Sequence, residues 1–269
     1  MMRLFVESVG ILGPGLNGWA ASQGVLSGAK PHVRSEAALP KLDWLPAAER
    51  RRTGAPVKYA LTVGMDALSA TALTAQDVPT IFAASSGDGE VLHDICATLA
   101  SSERQVSPTR FHNSVHNAAA GYWSIAVGAR VASTSLCAYD WTFVAGLLET
   151  AAQVLVDSEA ALLIAYDIAY SMPLRAARTV HESFACALLL RRHASENSLH
   201  SLELEFSPRA SVPTTLGDAS LEALRRDNPS ARALPLLAAM ARRDHAQLQF
   251  DYLDDAAVSV TVAPMGRGR

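Results

Sequence analysis

Residues 129–167 constrain the fold more than any other stretch. An apolar run, ARVAST (129–134), leads to TFVAGLLETAAQVLV (142–156) and then to the unbroken apolar run AALLIAYD (160–167). Apolar positions in 142–156 recur at three- and four-residue spacing, which gathers them on one face of a helix. The flanking runs read as strands, and the same alternation extends along the chain. Strand-like runs lie at 3–12, 80–85, 184–192, 201–207, 246–253 and 257–263, and helical spacing at 57–71, 89–102, 116–128 and 231–242. Strands alternating with helices predict an α/β protein whose helices cover a sheet.

Composition removes several classes of function. The chain has 269 residues, 49% of them hydrophobic and 18% charged, with a formal net charge of −3. Its only basic run is ERRR (49–52), too short to grip nucleic acid. Three scattered cysteines, Cys96, Cys137 and Cys186, argue against a disulfide framework and for a reducing compartment. MMRLFVESVGILGPG reads as a first strand rather than a signal peptide, and no apolar run reaches the roughly 18 residues of a membrane span. The expectation is a cytoplasmic globular protein without a bound cofactor.

Four places offer chemistry, each with a plainer reading. GPGLNG (13–18) matches G-x-G-x-x-G, but no helix of useful length is expected after it, so an ordinary turn is the default. His112 and His116 in RFHNSVH would share a helix face as zinc ligands do, yet Asn and Ser surround them and a polar wall fits as well. In SSGDGE (85–90), the glycines make a turn and Asp88 or Glu90 caps the following helix. Cys137 sits at a strand-to-helix corner, where a nucleophile would stand. Its helix is better capped by Asp140 or Thr142, and a neighbouring carboxylate disfavours a thiolate. Cys137 therefore reads as a buried, strand-packed residue.

The span 107–151, SPTRFHNSVHNAAAGYWSIAVGARVASTSLCAYDWTFVAGLLETA, followed by ALLIAYD (161–167), resembles the β-ketoacyl synthases of the thiolase-like superfamily. SVHNAAAGYWSIA and GLLETA are most similar to the chain-length-factor group of aryl polyene and xanthomonadin-type pathways. Weaker echoes are FVESVGILGPGLNGW, RRRTGAPVKYALTVGMDAL (51–68) and NPSARALPLLAAMAR (228–242). The resemblance implies a thiolase-like layered α-β-α fold with an abbreviated C-terminal half. It divides the chain into a ketosynthase-like half (1–206), a linker (207–230), a helix-strand-strand segment completing the sheet (231–263) and a disordered tail (264–269).

Counting from Asn117 and Gly121 places the lost ketosynthase nucleophile at Asp140; counting back from Ala165 places it at Trp141. Neither is a cysteine. Beyond residue 200 the only histidine is His245, in a context unlike either ketosynthase histidine motif. The resemblance thus implies a silent subunit that forms a heterodimer with a catalytic ketosynthase, meets an acyl carrier protein indirectly and shapes the partner's acyl tunnel. Phe111, His112, His116, Asn117, Trp141 and Phe143 are its expected partner or tunnel residues. Two alternatives stand beside it: a degenerate acyltransferase or thioesterase using Cys137, with His112 or His116 as base, and a homodimeric acyl-binding module.

Overall fold

A computed structural model describes residues 1–208 and 212–266. The chain opens with β1 (Met2–Gly13), β2 (Leu16–Asn17), α1 (Trp19–Leu26), α2 (Ala47–Arg50) and α3 (Ala55–Ser69). Then come β3 (Thr80–Ala83), α4 (Gly89–Ala100), α5 (Pro108–Asn113), α6 (Ala118–Val127), β4 (Ser133–Leu136) and α7 (Thr142–Val156). The remainder is β5 (Ala160–Asp167), α8 (Leu174–Ala177), β6 (Phe184–Arg191), β7 (His200–Pro208), α9 (Ala219–Asp227), α10 (Leu234–Arg242), β8 (Ala246–Tyr252) and β9 (Ala256–Pro264).

The strands form one sheet in the order β4-β3-β5-β6-β1-β7-β9-β8, with β2 paired to β1. β3 runs parallel to β4 and β5, and the other pairings are antiparallel. Because side chains alternate faces along a strand, each core strand feeds two cores. Ile81 and Leu163 join α7 and α10 residues on one face, whereas Phe82, Leu162 and Ile164 meet Leu61, Val63 and Trp123 of α3 and α6 on the other. All eight residues of β5 are buried, which is why its sequence shows no polar alternation. Helix α3 lies so close to β1 that a Cβ on Gly10 would stand 2.1 Å from the Val63 carbonyl oxygen.

β7, β9 and β8 do alternate. Leu202, Leu204, Val258, Val260, Leu248 and Phe250 are buried on one face, while Glu203, Glu205, Gln247, Gln249 and Thr261 are not. The Gln247 and Gln249 side-chain amides each donate to Ser259 Oγ at 3.1 Å. A strand triplet with one polar face tolerates water there, so this end of the sheet needs helices on one side only.

Several expectations need correcting. The strand expected at 129–134 forms instead at Ser133–Leu136. Gly128, left-handed at φ 69, ends α6, and pairing with β3 sets where β4 begins. A helix does follow GPGLNG: α1 has no side-chain cap, and it is held by packing of Trp19, Val25 and Leu26 into the core and against α10. The 207–230 segment, expected as a linker, gives Ser207 and Pro208 to β7 and contains α9, whose Leu221 and Leu224 are buried. Of the expected tail, Pro264 closes β9 and the Met265 amide donates to Leu199 O, while 267–269 lie outside the described residues.

His200 on β7 is 2% exposed and neither ring nitrogen has a hydrogen-bond partner. Burial, reinforced by Arg243, pushes its pKa from 6.5 down to about 4. The unfolded chain takes up this proton below about pH 6.5 and the native chain only below about pH 4, so native stability is lost as pH falls through that window. At about 1.4 kcal/mol per unit, the loss reaches roughly 3 kcal/mol at pH 4. Urea unfolding at pH 7 and pH 4.5 should show a smaller pH-dependent loss in His200→Leu than in the wild type; equal losses would refute this assignment.

Candidate functional site at the strand-to-helix corner

The parallel strands β4, β3 and β5 end together, and the corner after β4 leads into α7. Leu136 is the last residue of β4, and Tyr139–Trp141 form a single 3-10 turn before Thr142. Tyr139 adopts φ 52, a left-handed conformation that a non-glycine residue holds only when its surroundings impose it. The Thr142 hydroxyl imposes it here, donating to Tyr139 O at 2.6 Å and accepting from the Ala138 amide at 3.0 Å. Neither Asp140 nor Thr142 caps α7: its N-cap is Trp141, without a side-chain hydrogen bond.

Asp140 is committed elsewhere. Its Oδ1 accepts from Arg178 Nη2 at 2.8 Å and its Oδ2 from Arg232 Nη2 at 3.1 Å. The Arg178 guanidinium also lies 3.8 Å from the centroid of the Tyr139 ring. Burial lowers the Arg232 pKa, against the pull of Asp140. The corner is thus closed by a carboxylate shared between two guanidiniums, one of them stacked on the strained tyrosine. That arrangement ties up the one anionic group of the turn.

Beside it lies a polar cluster centred on three buried side chains, Asp167, Asn228 and Ser230. Asp167, the last residue of β5, accepts from the Ser85 amide (2.9 Å) and hydroxyl (2.5 Å) on Oδ1 and from the Ser230 hydroxyl (2.6 Å) on Oδ2. Burial raises the Asp167 pKa, and the Ser230 and Ser85 hydrogen bonds oppose the rise. Asn228 completes the tie, donating from Nδ2 to Asp167 O and Glu182 O, both at 2.9 Å. The segment that carries Arg232 is therefore fastened to the ends of β3 and β5.

The residues singled out from sequence fall in different places. Cys137 lies one residue beyond β4 and is exposed, not strand-packed. Trp141 and His116 are half-buried, and His112 and Asn117 are exposed. Phe143 is fully buried against Phe250 in the core, ring centroids 6.1 Å apart, and so cannot meet a partner's surface. His112 ends on α5, whereas His116 sits in the turn before α6, so they share no helix face. His116 Nε2 is spent on Ala84 O at 2.9 Å, and no group of potential metal ligands occurs among the described residues. In SSGDGE, Ser85 serves Asp167 and Asp88 caps α4 by accepting from the Glu90 and Val91 amides. In GPGLNG, Pro14 and Gly15 (φ 72) turn a tight hairpin between β1 and β2.

Sequence reasoning missed Tyr139, Arg178, Ser230 and Arg232. Asp167 alone had a signal, a charge ending an otherwise apolar strand.

β4 is an edge strand; α6, which packs against it, and α4 and α5, which precede it in the chain, expose apolar side chains. Leu92 and Leu99 of α4 are 53% and 51% exposed, Phe111 of α5 66%, and Ile125 of α6 51%. Val115, Val131 and Tyr139 bring these to seven of the sixteen large apolar side chains exposed among the described residues, all within positions 92–139.

Residues 19–251 match the family model described as the N-terminal domain of β-ketoacyl synthase. The chain belongs to this β-ketoacyl synthase family. Three solved structures share its thiolase-like layered α/β fold. The ketosynthase (ApeO) in complex with its chain length factor (ApeC) from Xenorhabdus doucetiae is 20% identical, with 97% of this chain and 100% of that one covered and a TM-score of 0.73. The ishigamide ketosynthase/chain length factor gives 11% identity, 99% and 100% coverage and a TM-score of 0.75. AntDE:AntF, a type II polyketide synthase acyl-carrier protein in complex with its ketosynthase bound to the hexaketide, gives 13%, 98% and 99%, and 0.75. No curated protein sequence matches this family member. No helix among its described residues is long and apolar enough to cross a membrane.

Proposed function

We propose that this β-ketoacyl synthase relative is a catalytically silent chain-length subunit. It pairs with an active ketosynthase and shapes that partner's acyl tunnel in type II polyketide synthesis of the aryl polyene kind. The observation that carries this reading is the corner: where a condensing enzyme of this family holds a thiol, Asp140 is pinned between Arg178 and Arg232. A carboxylate neutralised by two guanidiniums cannot take an acyl group from a carrier protein. Trp141, the last residue of the same turn, would fill the space that an acyl chain enters in a condensing relative. The unpaired β4 edge and the exposed apolar side chain of Ile125 on α6 beside it support a heterodimer, since such edges and side chains mark surfaces that seek partners.

Cys137, being exposed, keeps the acyltransferase reading testable. Coexpression with an active ketosynthase and a carrier protein should yield a 1:1 complex whose product profile is unchanged in Cys137→Ser and shifted in length in Phe111→Ala. Product lost with Cys137→Ser would establish the enzyme reading instead; unchanged length in Phe111→Ala would remove that residue from the tunnel.

A further inference from the structure

We propose that the cavity between the β1–β2 hairpin and α3 binds a small apolar primary amine, its ammonium group held by Asp66. This site is independent of the silent-subunit reading. In the sheet, β1 is separated from the β4 edge by β6, β5 and β3, so the cavity belongs neither to the corner nor to the partner face.

The cavity measures about 410 Å³, within the range of roughly 300–1,000 Å³ typical of small-molecule sites. Ile11, Leu12, Leu42, Trp44 and Met65 give it apolar walls. Those walls are held in place without a ligand. Leu42 and Leu45 are 2% and 1% exposed and anchor the strap over the cavity. The Ala38 amide donates to Asn17 Oδ1 at 2.8 Å, and Asp43 pairs with Arg50 at 2.6 Å.

Asp66 on α3 is the charged side chain of this lining. It is half-buried and makes no ion pair among the described residues; its Oδ2 is enclosed, so a ligand ammonium would have to meet the carboxylate at Oδ1. Thr62 Oγ1, one helical turn earlier and also in the lining, is left in the same state. Burial raises the Asp66 pKa, and the Trp19 and Ile11 amides offset this only in part. A carboxylate set in an apolar wall without a counter-charge is costly, and a ligand ammonium supplies that charge where a hydroxyl or a carboxylate does not. The hydrocarbon body of the amine would lie along Ile11, Leu12 and Met65.

Calorimetric titration of the full chain at pH 7 with hexylamine, hexanol and hexanoate tests this. Hexylamine should saturate with Kd below about 1 mM and bind at least about tenfold more tightly than hexanol, while hexanoate should not bind. Asp66→Asn should weaken hexylamine about tenfold or more and leave hexanol unchanged, and Met65→Trp should exclude both by filling the cavity. Equal affinity for amine and alcohol, or an Asp66→Asn variant that binds hexylamine as tightly as wild type, would overturn the proposal. So would the absence of saturation by hexylamine at about 10 mM, which would leave water as the occupant. The wild-type probe series decides the question even where a variant fails to fold.

Discussion

Asp167→Ala is expected to lower the stability of the chain by about 4 kcal/mol, enough to unfold a marginally stable domain under mild denaturant. The carboxylate is fully buried, and three donors converge on it: the Ser85 amide, the Ser85 hydroxyl and the Ser230 hydroxyl. Alanine strands all three, the Ser230 hydroxyl in a buried setting and the two Ser85 donors in a partly buried one; each stranded donor costs about 1–3 kcal/mol, reduced where a hydroxyl can rotate to another acceptor or reach water. The damage should extend to the corner, because Ser230 is two residues from Arg232, which pairs with Asp140. Asp167→Asn keeps the volume and one accepting oxygen, and should cost about half as much. Urea unfolding at pH 7 measures both, and a loss below about 1 kcal/mol in the alanine variant would show that this cluster does not fasten the C-terminal segment.

The second large effect concerns the β4 edge. Ile125→Arg combined with Val131→Arg is expected to abolish copurification with the ketosynthase proposed above as the partner, while leaving the fold intact. Both side chains are exposed in the free chain, at 51% and 38%, and surface changes of this kind usually move stability by no more than about 0.5 kcal/mol. In an apolar interface, by contrast, two unpaired guanidiniums would each cost several kcal/mol, against about 1.4 kcal/mol per tenfold in affinity. Binding should therefore weaken by more than about 100-fold. Val156→Arg, at the C-terminal end of α7 and 73% exposed, is the control and should bind normally. Equal weakening by the control, or retention of the complex by the double variant, would place the partner surface elsewhere.

The parts of the architecture legible beforehand were those whose residues answer to short-range periodicity. α7 spans 142–156 and β5 spans 160–167, the limits their apolar patterns predict. The Asp88 cap of α4 was legible for the same reason, since a cap is settled within three residues. α1 was not, because Gly18 gives it no side-chain cap and its stability comes from contact with the distant α10. The start of β4 was not either, because its pairing with β3 is set by residues more than fifty positions earlier.

At the corner the division is sharper. Sequence by itself determined that no cysteine stands at the turn, since Tyr139, Asp140 and Trp141 occupy it whatever the register. It also determined the family resemblance, because the 107–167 block carries it. Only the tertiary structure decided what holds Asp140. Arg178 and Arg232 lie 38 and 92 positions from Asp140, and no local pattern links them. Only the folded chain also decided that Cys137 faces solvent while Phe143 is enclosed. A strand end one residue before the cysteine, followed by a helix whose inner face meets Phe250, fixes both directions. Period and composition state which side chains avoid water; which distant charges then meet depends on how the elements pack.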